Sequence, residues 1–118
     1  MKILREENMW IIATKDRKKV LCGRGCTCEL KEFSEISNSL IRVYRGKKKA
    51  ASSLESGWVL QDLMTQQMKD GTLSKEDYEK CFESKECRYF RHKDALEIAL
   101  EKVIDIVPVR IIMEEKVE

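Results

Sequence analysis

Three of the chain's five cysteines fall close together, in the stretch VLCGRGCTCEL at residues 20–30. Cysteine thiolates bind structural zinc and act as redox nucleophiles, so this stretch is the first candidate for chemistry. Structural zinc is usually held by two C-x2-C pairs, whereas these thiols have the spacing Cys22-x3-Cys26-x-Cys28. A zinc site formed by these three thiols and His92, the only histidine, is an alternative that this spacing does not favour. The missing C-x-x-C spacing argues against a redox pair.

The same stretch also has the pattern of a strand with one buried face. Cys26, Cys28 and Leu30 alternate with polar residues, and a period of two residues is typical of a half-buried strand. We therefore interpret the thiols as small apolar side chains on the inner face. Cys81 and Cys87, which are separated by five residues, do not form a zinc-binding pair either. We expect no bound metal and no cofactor.

Motifs of the common enzyme classes are missing from the sequence. It contains no phosphate-binding loop, no dinucleotide-binding fingerprint and no pair of carboxylates with catalytic spacing. His92 as a catalytic base would need a nucleophile and an orienting carboxylate, and the sequence indicates neither. We expect no catalytic residues. A cysteine–histidine enzyme is the alternative, in which substitution of Cys26, Cys28 or His92 would abolish activity.

Length and composition limit the class of protein. The chain has 118 residues, of which 42% are apolar and 37% charged, and this predicts a single domain over residues 1–118. The first ten residues lack the apolar segment of a signal peptide, and no apolar run is long enough to cross a bilayer. An odd number of cysteines argues against a disulfide framework. We expect a cytoplasmic protein with no membrane partner.

Hydrophobic periodicity predicts an α+β fold, with an antiparallel-dominated sheet of four to six strands packed against three or four helices. Residues 9–23 indicate a hairpin with a polar loop of four or five residues. Further strands are predicted at residues 26–30, 40–45, 86–91 and 104–113. Helices are predicted at residues 47–56, 58–69, 74–82 and 92–103. Pro108 favours an edge position or the start of the last strand.

The clearest local signal is KDGTLSKEDYEKCF, residues 69–82. Gly71 ends one helix, Ser74 caps the next, and Leu73 and Tyr78 occupy the two positions of a hydrophobic staple. The stretch resembles the helical hairpin of short bacterial oligomerisation domains, with their G-x-[IL]-[ST]-x-x-[DE]-[YF] turn. The resemblance implies a helix–turn–helix geometry and no function.

An internal repeat is a further feature of the sequence. Residues 42–56 and 88–102 align without gaps and correspond at six positions, each segment reading as a strand that leads into a helix. A repeated strand–helix unit is one interpretation of this correspondence. The alternative is that any strand-to-helix junction in a lysine-rich chain looks like this.

Charge is distributed unevenly along the chain. Residues 1–50 contain 13 Lys+Arg and 6 Asp+Glu, a net charge of +7, whereas residues 51–118 contain 10 and 15, a net charge of −5. This asymmetry indicates an anionic partner for the first half. The alternative is that the two halves face each other, or that two chains pair head to tail.

The positive charge forms two clusters, which we interpret as a partner- or anion-binding region. The turn cluster lies in and beside the hairpin loop and consists of Lys15, Arg17, Lys18 and Lys19. The junction cluster lies where a strand meets a helix and consists of Arg42, Arg45, Lys47, Lys48 and Lys49, with Arg24 between the two clusters in sequence. Lysines in the first turn of a helix oppose its dipole, which indicates anion binding. The alternative is a solvated surface.

Residues 9–60, with the hairpin WIIATKDRKKVLCG and the junction IRVYRGKKKA, resemble small accessory proteins of Gram-positive phages and mobile elements. The resemblance implies a non-enzymatic protein that binds a host protein, for example as an inhibitor of a nucleic-acid-guided defence enzyme. An inhibitor of that class uses acidic residues to imitate DNA. The candidates for such an acidic surface are Glu76, Asp77, Glu79, Glu83 and Glu86.

Direct binding of nucleic acid through the basic half is the alternative function. The pI of about 8.2 is modest for a nucleic-acid-binding domain, and Tyr44 is the only aromatic residue beside the basic run. A complex with a host protein would persist without nucleic acid, whereas nucleic-acid binding would weaken steeply as salt rises. The sequence does not indicate an oligomeric state.

Overall fold

The computed structural model describes residues 3–24, 27–36, 40–55, 58–81 and 93–115. Its strands are β1 (Ile3–Thr14), β2 (Lys19–Arg24), β3 (Thr27–Glu32) and β4 (Ile104–Glu114). Its helices are α1 (Lys47–Leu54), α2 (Trp58–Lys69), α3 (Lys75–Cys81) and α4 (Lys93–Lys102), and a short 3-10 turn, Phe33–Glu35, follows β3. The predicted α+β class is confirmed. No helix in the described part of the chain is long and apolar enough to cross a membrane.

The four strands form one sheet in the order β3-β2-β1-β4, with every pair antiparallel. The predicted hairpin is present, and its loop consists of the four residues 15–18. The pairing of β1 with β4 is the longest in the sheet and runs from Ile3 opposite Glu114 to Thr14 opposite Ile104. β2 pairs with β3 along its whole length but with β1 only at Ala13 opposite Val20.

The two faces of the sheet bury different amounts of apolar surface. The larger cluster lies on the face that carries the helices and includes Ile12, Leu21, Leu30, Leu60 and Leu63. The opposite face holds a small cluster of buried residues, Ile11, Val20 and Cys22, against which Ile36 and Ile41 pack. Successive strand residues point to opposite faces, so the apolar run in β1 supplies both clusters.

The predicted strand at residues 40–45 is wrong as a continuous strand. Its backbone makes two isolated bridges, Ile41 with Cys22 of β2 and Tyr44 with Trp10 of β1. The Trp10 and Tyr44 amides each donate to the other's carbonyl at 2.8 Å. Both bridges are antiparallel, and β1 and β2 themselves run in opposite directions. A straight strand cannot be antiparallel to both, so the segment must bend between the bridges and does not extend a ladder with either strand. It instead fills the space where β1 and β2 diverge.

The helix ends follow the predicted signals. Gly71 has a φ of 82°, the left-handed conformation that glycine adopts easily, and the Thr72 amide beyond it donates to the carbonyl of Gln67 at 2.9 Å. The Ser74 hydroxyl accepts from the Asp77 amide at 3.1 Å and so caps α3. Leu73 is buried and Tyr78 packs against the same cluster, as the staple requires.

Pro108 protects the outer edge of β4, which ends the sheet in the part of the chain that the structure describes. Trp10 directs its amide and carbonyl towards Tyr44, away from β4. Its partner in register, Pro108, therefore directs its own nitrogen outwards, where a further strand would need a donor. The predicted edge position is confirmed, and it hinders edge-to-edge pairing at this point.

Some predictions fall outside the described residues. The predicted strand at residues 86–91 lies there entirely, and with it the first part of the second repeat unit. The two helices of the proposed repeat, α1 and α4, are both present and both bury an apolar stripe in the helical face of the sheet. The strand of the first unit is the broken segment at residues 40–45.

Candidate functional site

The hairpin loop is held by hydrogen bonds from side chains to the backbone. The Thr14 hydroxyl, which is buried, donates to Asp16 Oδ1 at 2.7 Å and accepts from the Lys19 amide at 3.1 Å. The Lys18 amide donates to the same carboxylate oxygen of Asp16 at 2.9 Å. The Lys18 bond and then the Thr14 bond hold the pKa of the Asp16 carboxyl below its usual value.

The cations of the turn cluster are largely engaged within the molecule. Asp105 accepts from Lys15 Nζ at 2.6 Å through one oxygen and from Arg17 Nη1 at 2.7 Å through the other. Lys15 also donates to the carbonyl of Leu100. These two cations lower the pKa of the Asp105 carboxyl, chiefly through their hydrogen bonds. The hairpin is thus tied to β4 by charge as well as by the sheet.

A second ion pair connects the turn cluster to the helical layer. Lys19 Nζ lies 3.1 Å from Asp70 Oδ2, and the hydrogen bond to this carboxylate raises the pKa of Lys19. Lys18 is exposed. A cleft of about 520 Å³ opens beside the turn, and its charged lining residues are Lys15, Lys18, Lys19, Asp16, Glu32 and Asp70. The charged side chains of the lining therefore sum to a net charge of zero.

The junction cluster has a different environment. Arg45, Lys47, Lys48 and Lys49 are exposed, Arg42 is half-buried, and Arg24 at the end of β2 is exposed. Lys15 directly follows β1 and is five residues from Trp10, about 17 Å at about 3.4 Å per residue of an antiparallel strand. Lys47 Nζ, in contrast, lies 6.0 Å from the centre of the Trp10 ring. The structure therefore places the junction cluster beside the middle of β1 and the turn cluster at its end.

Arg24 joins the junction cluster in space, and we call the six residues together the basic surface. Arg24, Arg42 and Tyr44 line one hollow of about 280 Å³ with Gly23 and Val43. Tyr44 is bridged to Trp10, over which Lys47 lies. The basic surface consists of Arg24, Arg42, Arg45, Lys47, Lys48 and Lys49, and two aromatic side chains are part of its floor.

Three of the five acidic candidates lie on α3 within the described residues. Asp77 is half-buried and lies 2.8 Å from Lys102 Nζ, and Glu79 pairs with Lys75 at 3.9 Å on α3. Glu76 is exposed in the first turn of the same helix. The other two candidates, Glu83 and Glu86, lie outside the described residues. Asp77 and Glu79 are therefore each paired with a lysine of this chain.

The two cysteines whose side chains the structure describes, Cys22 and Cys28, do not converge. Cys22 is buried on the face opposite the helices, where burial raises the pKa of its thiol. Cys28 packs against the helical face of the sheet. The two thiols thus lie on opposite faces, and Cys81 is the last residue of α3. Among the described residues no group of three His, Cys, Asp or Glu side chains could hold a metal ion; Cys26, Cys87 and His92 lie outside them.

A two-stranded ribbon is the feature that sequence reasoning missed. Residues 3–8 of β1 and 110–114 of β4 pair with each other beyond the helical layer, and we call this part the ribbon. The molecule is accordingly elongated, with extents of 54 × 26 × 23 Å. Five of the eight large apolar residues that are exposed in the described structure lie in the ribbon: Ile3, Leu4, Ile111, Ile112 and Met113.

Two ion pairs form within the ribbon. Arg5 pairs with Glu7, and Arg110 Nε lies 2.8 Å from Glu6 Oε1. Ile111 and Met113 share one face of β4, on which Val107 and Val109 pack against the small cluster nearer the helices. A groove of about 530 Å³ lies at the base of the ribbon, around Pro108 and its neighbours in β1 and β4. Apolar side chains therefore account for much of the exposed surface of the ribbon.

The sequence contains a signal for the ribbon. The run IIM at residues 111–113 is apolar at three consecutive positions, whereas a strand with one solvated face alternates.

In comparisons with known proteins, no family model matches this chain, and no curated protein and no solved structure matches it.

Proposed function

We propose that this is a non-enzymatic protein that acts in the cytoplasm by binding another protein, and that the ribbon is the part that docks. The observation that carries the proposal is the concentration of exposed apolar side chains in the ribbon, where four of the charged residues already form two ion pairs. Contiguous exposed apolar surface is characteristic of protein–protein interfaces. The resemblance of residues 9–60 to phage accessory proteins supports a host protein as the partner.

The physical basis of the proposal is the weakness of an uncovered ribbon. An isolated pair of strands is marginally stable in water, and β1 and β4 have only each other as sheet partners over these residues within the described structure. Leu4 is 63% and Met113 58% exposed. Burying two such side chains against a partner contributes about 1.5–3 kcal/mol each at full burial. The same burial would also stabilise the pairing of the two strands in the ribbon.

The test is a comparison of two double variants in a nuclease-treated lysate of a Gram-positive host. One variant, Ile111→Thr with Met113→Thr, removes apolar surface from one face of the ribbon. Threonine is β-branched and common in strands, so β4 should keep its strand conformation. The matched control, Phe33→Thr with Leu40→Thr, removes two exposed apolar side chains elsewhere. We expect one host protein to be retained by wild type and control, and to be recovered at least 10-fold less by the ribbon variant.

The recovered protein is then purified and titrated against the same three chains by calorimetry. Direct binding with a negative heat-capacity change, lost in the ribbon variant alone, supports the proposal. Equal recovery by the ribbon variant and the control would contradict it. So would a wild-type chain that is a dimer by light scattering and becomes monomeric in the ribbon variant, because the ribbon would then bind a second copy.

A further inference from the structure

We infer that the basic surface binds single-stranded nucleic acid, holding its backbone phosphates with cations from three segments of the chain. This is a second binding face, and it uses residues that the docking of the ribbon does not require. The inference stands on the charge of the surface, on its aromatic floor and on the shape of the surrounding molecule.

Most of the charge of the basic surface is not compensated by an ion pair within the part of the chain that the structure describes. Five of its six cations form no ion pair with any residue that the structure describes: Arg24, Arg45, Lys47, Lys48 and Lys49. The first turn of α1 contains no acidic residue. Phosphates of a bound strand would supply the opposite charge, and arginine presents a planar fork of donors that matches a phosphate.

The cations come from separate segments rather than from one helix end. Arg24 ends β2, Arg42 and Arg45 belong to the segment that fills the gap between β1 and β2, and the three lysines open α1. The bridges at Ile41 and Tyr44 fix that segment to both strands. The cations are therefore held on one framework, which can contact successive phosphates of a strand.

The floor of the surface offers aromatic rings to bases. Trp10 and Tyr44 are bridged backbone to backbone, and the Tyr44 hydroxyl is hydrogen-bonded to Ser53 Oγ at 3.0 Å. Both side chains are half-buried, so part of each remains accessible. Stacking on aromatic rings beside a basic groove is the way in which proteins bind single strands without reading their sequence. The hollow lined by Arg24, Arg42 and Tyr44 lies next to these rings.

The shape of the molecule favours a single strand over a duplex. A protein reads a DNA major groove with a projecting helix or two-stranded ribbon. The projecting element here is the ribbon, and its two arginines, Arg5 and Arg110, are each paired with a glutamate. The basic surface instead lies on the body of the molecule, beside a hollow. A flexible single strand can follow such a surface. The described structure offers no projecting element with unpaired cations that could enter a groove of a rigid duplex.

The test uses the full chain and fluorescein-labelled dT20, rU20 and a 20-base-pair duplex, with binding measured by fluorescence anisotropy between 25 and 200 mM salt. The test variant is Lys47→Gln with Lys48→Gln and Lys49→Gln. The charge-matched control is Lys18→Gln with Lys69→Gln and Lys75→Gln, three exposed lysines outside the basic surface. Thermal unfolding of both variants shows whether they are folded.

We expect wild type and control to bind the single strands, with affinity falling as salt rises. Each lost phosphate contact should flatten the slope of log affinity against log salt by about 0.7, so the test variant should lose about 2 units of slope. Its affinity at about 100 mM salt should fall at least 10-fold, while the control changes less than about 2-fold. Comparing dT20 with rU20 shows whether the sugar matters.

Three results would overturn the inference. They are an absence of single-strand binding by folded wild type at the lowest salt, an equal loss in the test variant and the control, and tighter binding of the duplex than of either single strand. None of these results bears on the ribbon, because the ribbon residues are unchanged in all three proteins. Conversely, the ribbon double variant should bind dT20 as wild type does.

Discussion

The turn cluster and the junction cluster are nearly identical in composition, yet they have opposite surroundings. In the turn cluster Lys15 and Arg17 share Asp105, and Lys19 pairs with Asp70. In the junction cluster the lysines of α1 have no acidic residue in their own turn, and Lys47 lies over an aromatic ring. Most cations of the turn cluster tie parts of the fold together, whereas Arg45 and the three lysines of α1 are exposed to solvent.

This difference teaches that a count of basic residues does not indicate a binding surface. The carboxylates that neutralise the turn cluster are 51 to 90 residues away in the chain. Charges that are paired inside the molecule contribute to stability, and charges that are not paired remain available to a partner. Stability and binding measurements should therefore respond to the two clusters in opposite ways.

The largest expected effect concerns the hydroxyl on which the turn is built. Thr14→Val keeps the shape of the side chain but removes the donor to Asp16 and the acceptor for the Lys19 amide. Leaving buried polar groups without partners costs about 1–3 kcal/mol of the free energy of unfolding. Urea denaturation should show this loss, whereas Thr72→Val, at an exposed threonine, should change the same free energy by less than about 0.5 kcal/mol. Equal losses would show that the turn is not held in this way.

The next effect concerns the carboxylate that two cations share. Asp105→Asn should lower the free energy of unfolding at pH 7 by about 1 kcal/mol, the sum of two partly exposed ion pairs. The matched control is Glu101→Gln, which removes one exposed carboxylate from α4 and should have little effect. Indistinguishable stabilities of the two variants would contradict the distinction between paired and unpaired charges at this end of the sheet.

The same carboxylate predicts a pH dependence. The pKa of Asp105 is lowered in the folded protein from a usual value of 3.8 by its hydrogen bonds to Lys15 and Arg17. Its stabilising contribution is therefore complete well above pH 3.8 and is lost as pH falls through the lower, folded pKa. The difference in stability between wild type and Asp105→Asn should be constant near neutrality and should narrow below about pH 4. A difference that widens in acid would refute the assignment.

The smallest effect has the opposite sign and belongs to the junction cluster. Lys48→Glu places a negative charge in the first turn of α1, where the helix dipole favours it by about 0.3–1 kcal/mol. The variant should therefore unfold at a slightly higher urea concentration than wild type, while its affinity for dT20 falls. A variant that is both less stable and unchanged in binding would show that Lys48 supports the fold.

Much of the architecture could be predicted from local patterns. The hairpin with its four-residue loop, the edge position of Pro108, and the helix boundaries at Gly71 and Ser74 each depend on residues close together in sequence. Such signals depend on backbone conformation and on local hydrogen bonds, which neighbouring residues determine. The inward position of Leu30 followed from alternation in the same way.

The candidate surfaces could be predicted only in part. The junction cluster was identified as basic, but the arrival of Trp10 beneath Lys47 depends on the bridge between β1 and Tyr44. The predicted strand at residues 40–45 failed because its neighbours diverge and divide its hydrogen bonds. The ribbon was missed because its exposure depends on how far β1 and β4 extend past the helices.

The sequence by itself determined the local elements of this protein: where strands alternate, where helices are capped and where the chain turns. Only the tertiary structure decided which cations are neutralised and which apolar residues are left uncovered. The physical reason is that ion pairing and burial depend on groups brought together from distant parts of the chain, such as Lys15 and Asp105, and no local pattern specifies those meetings.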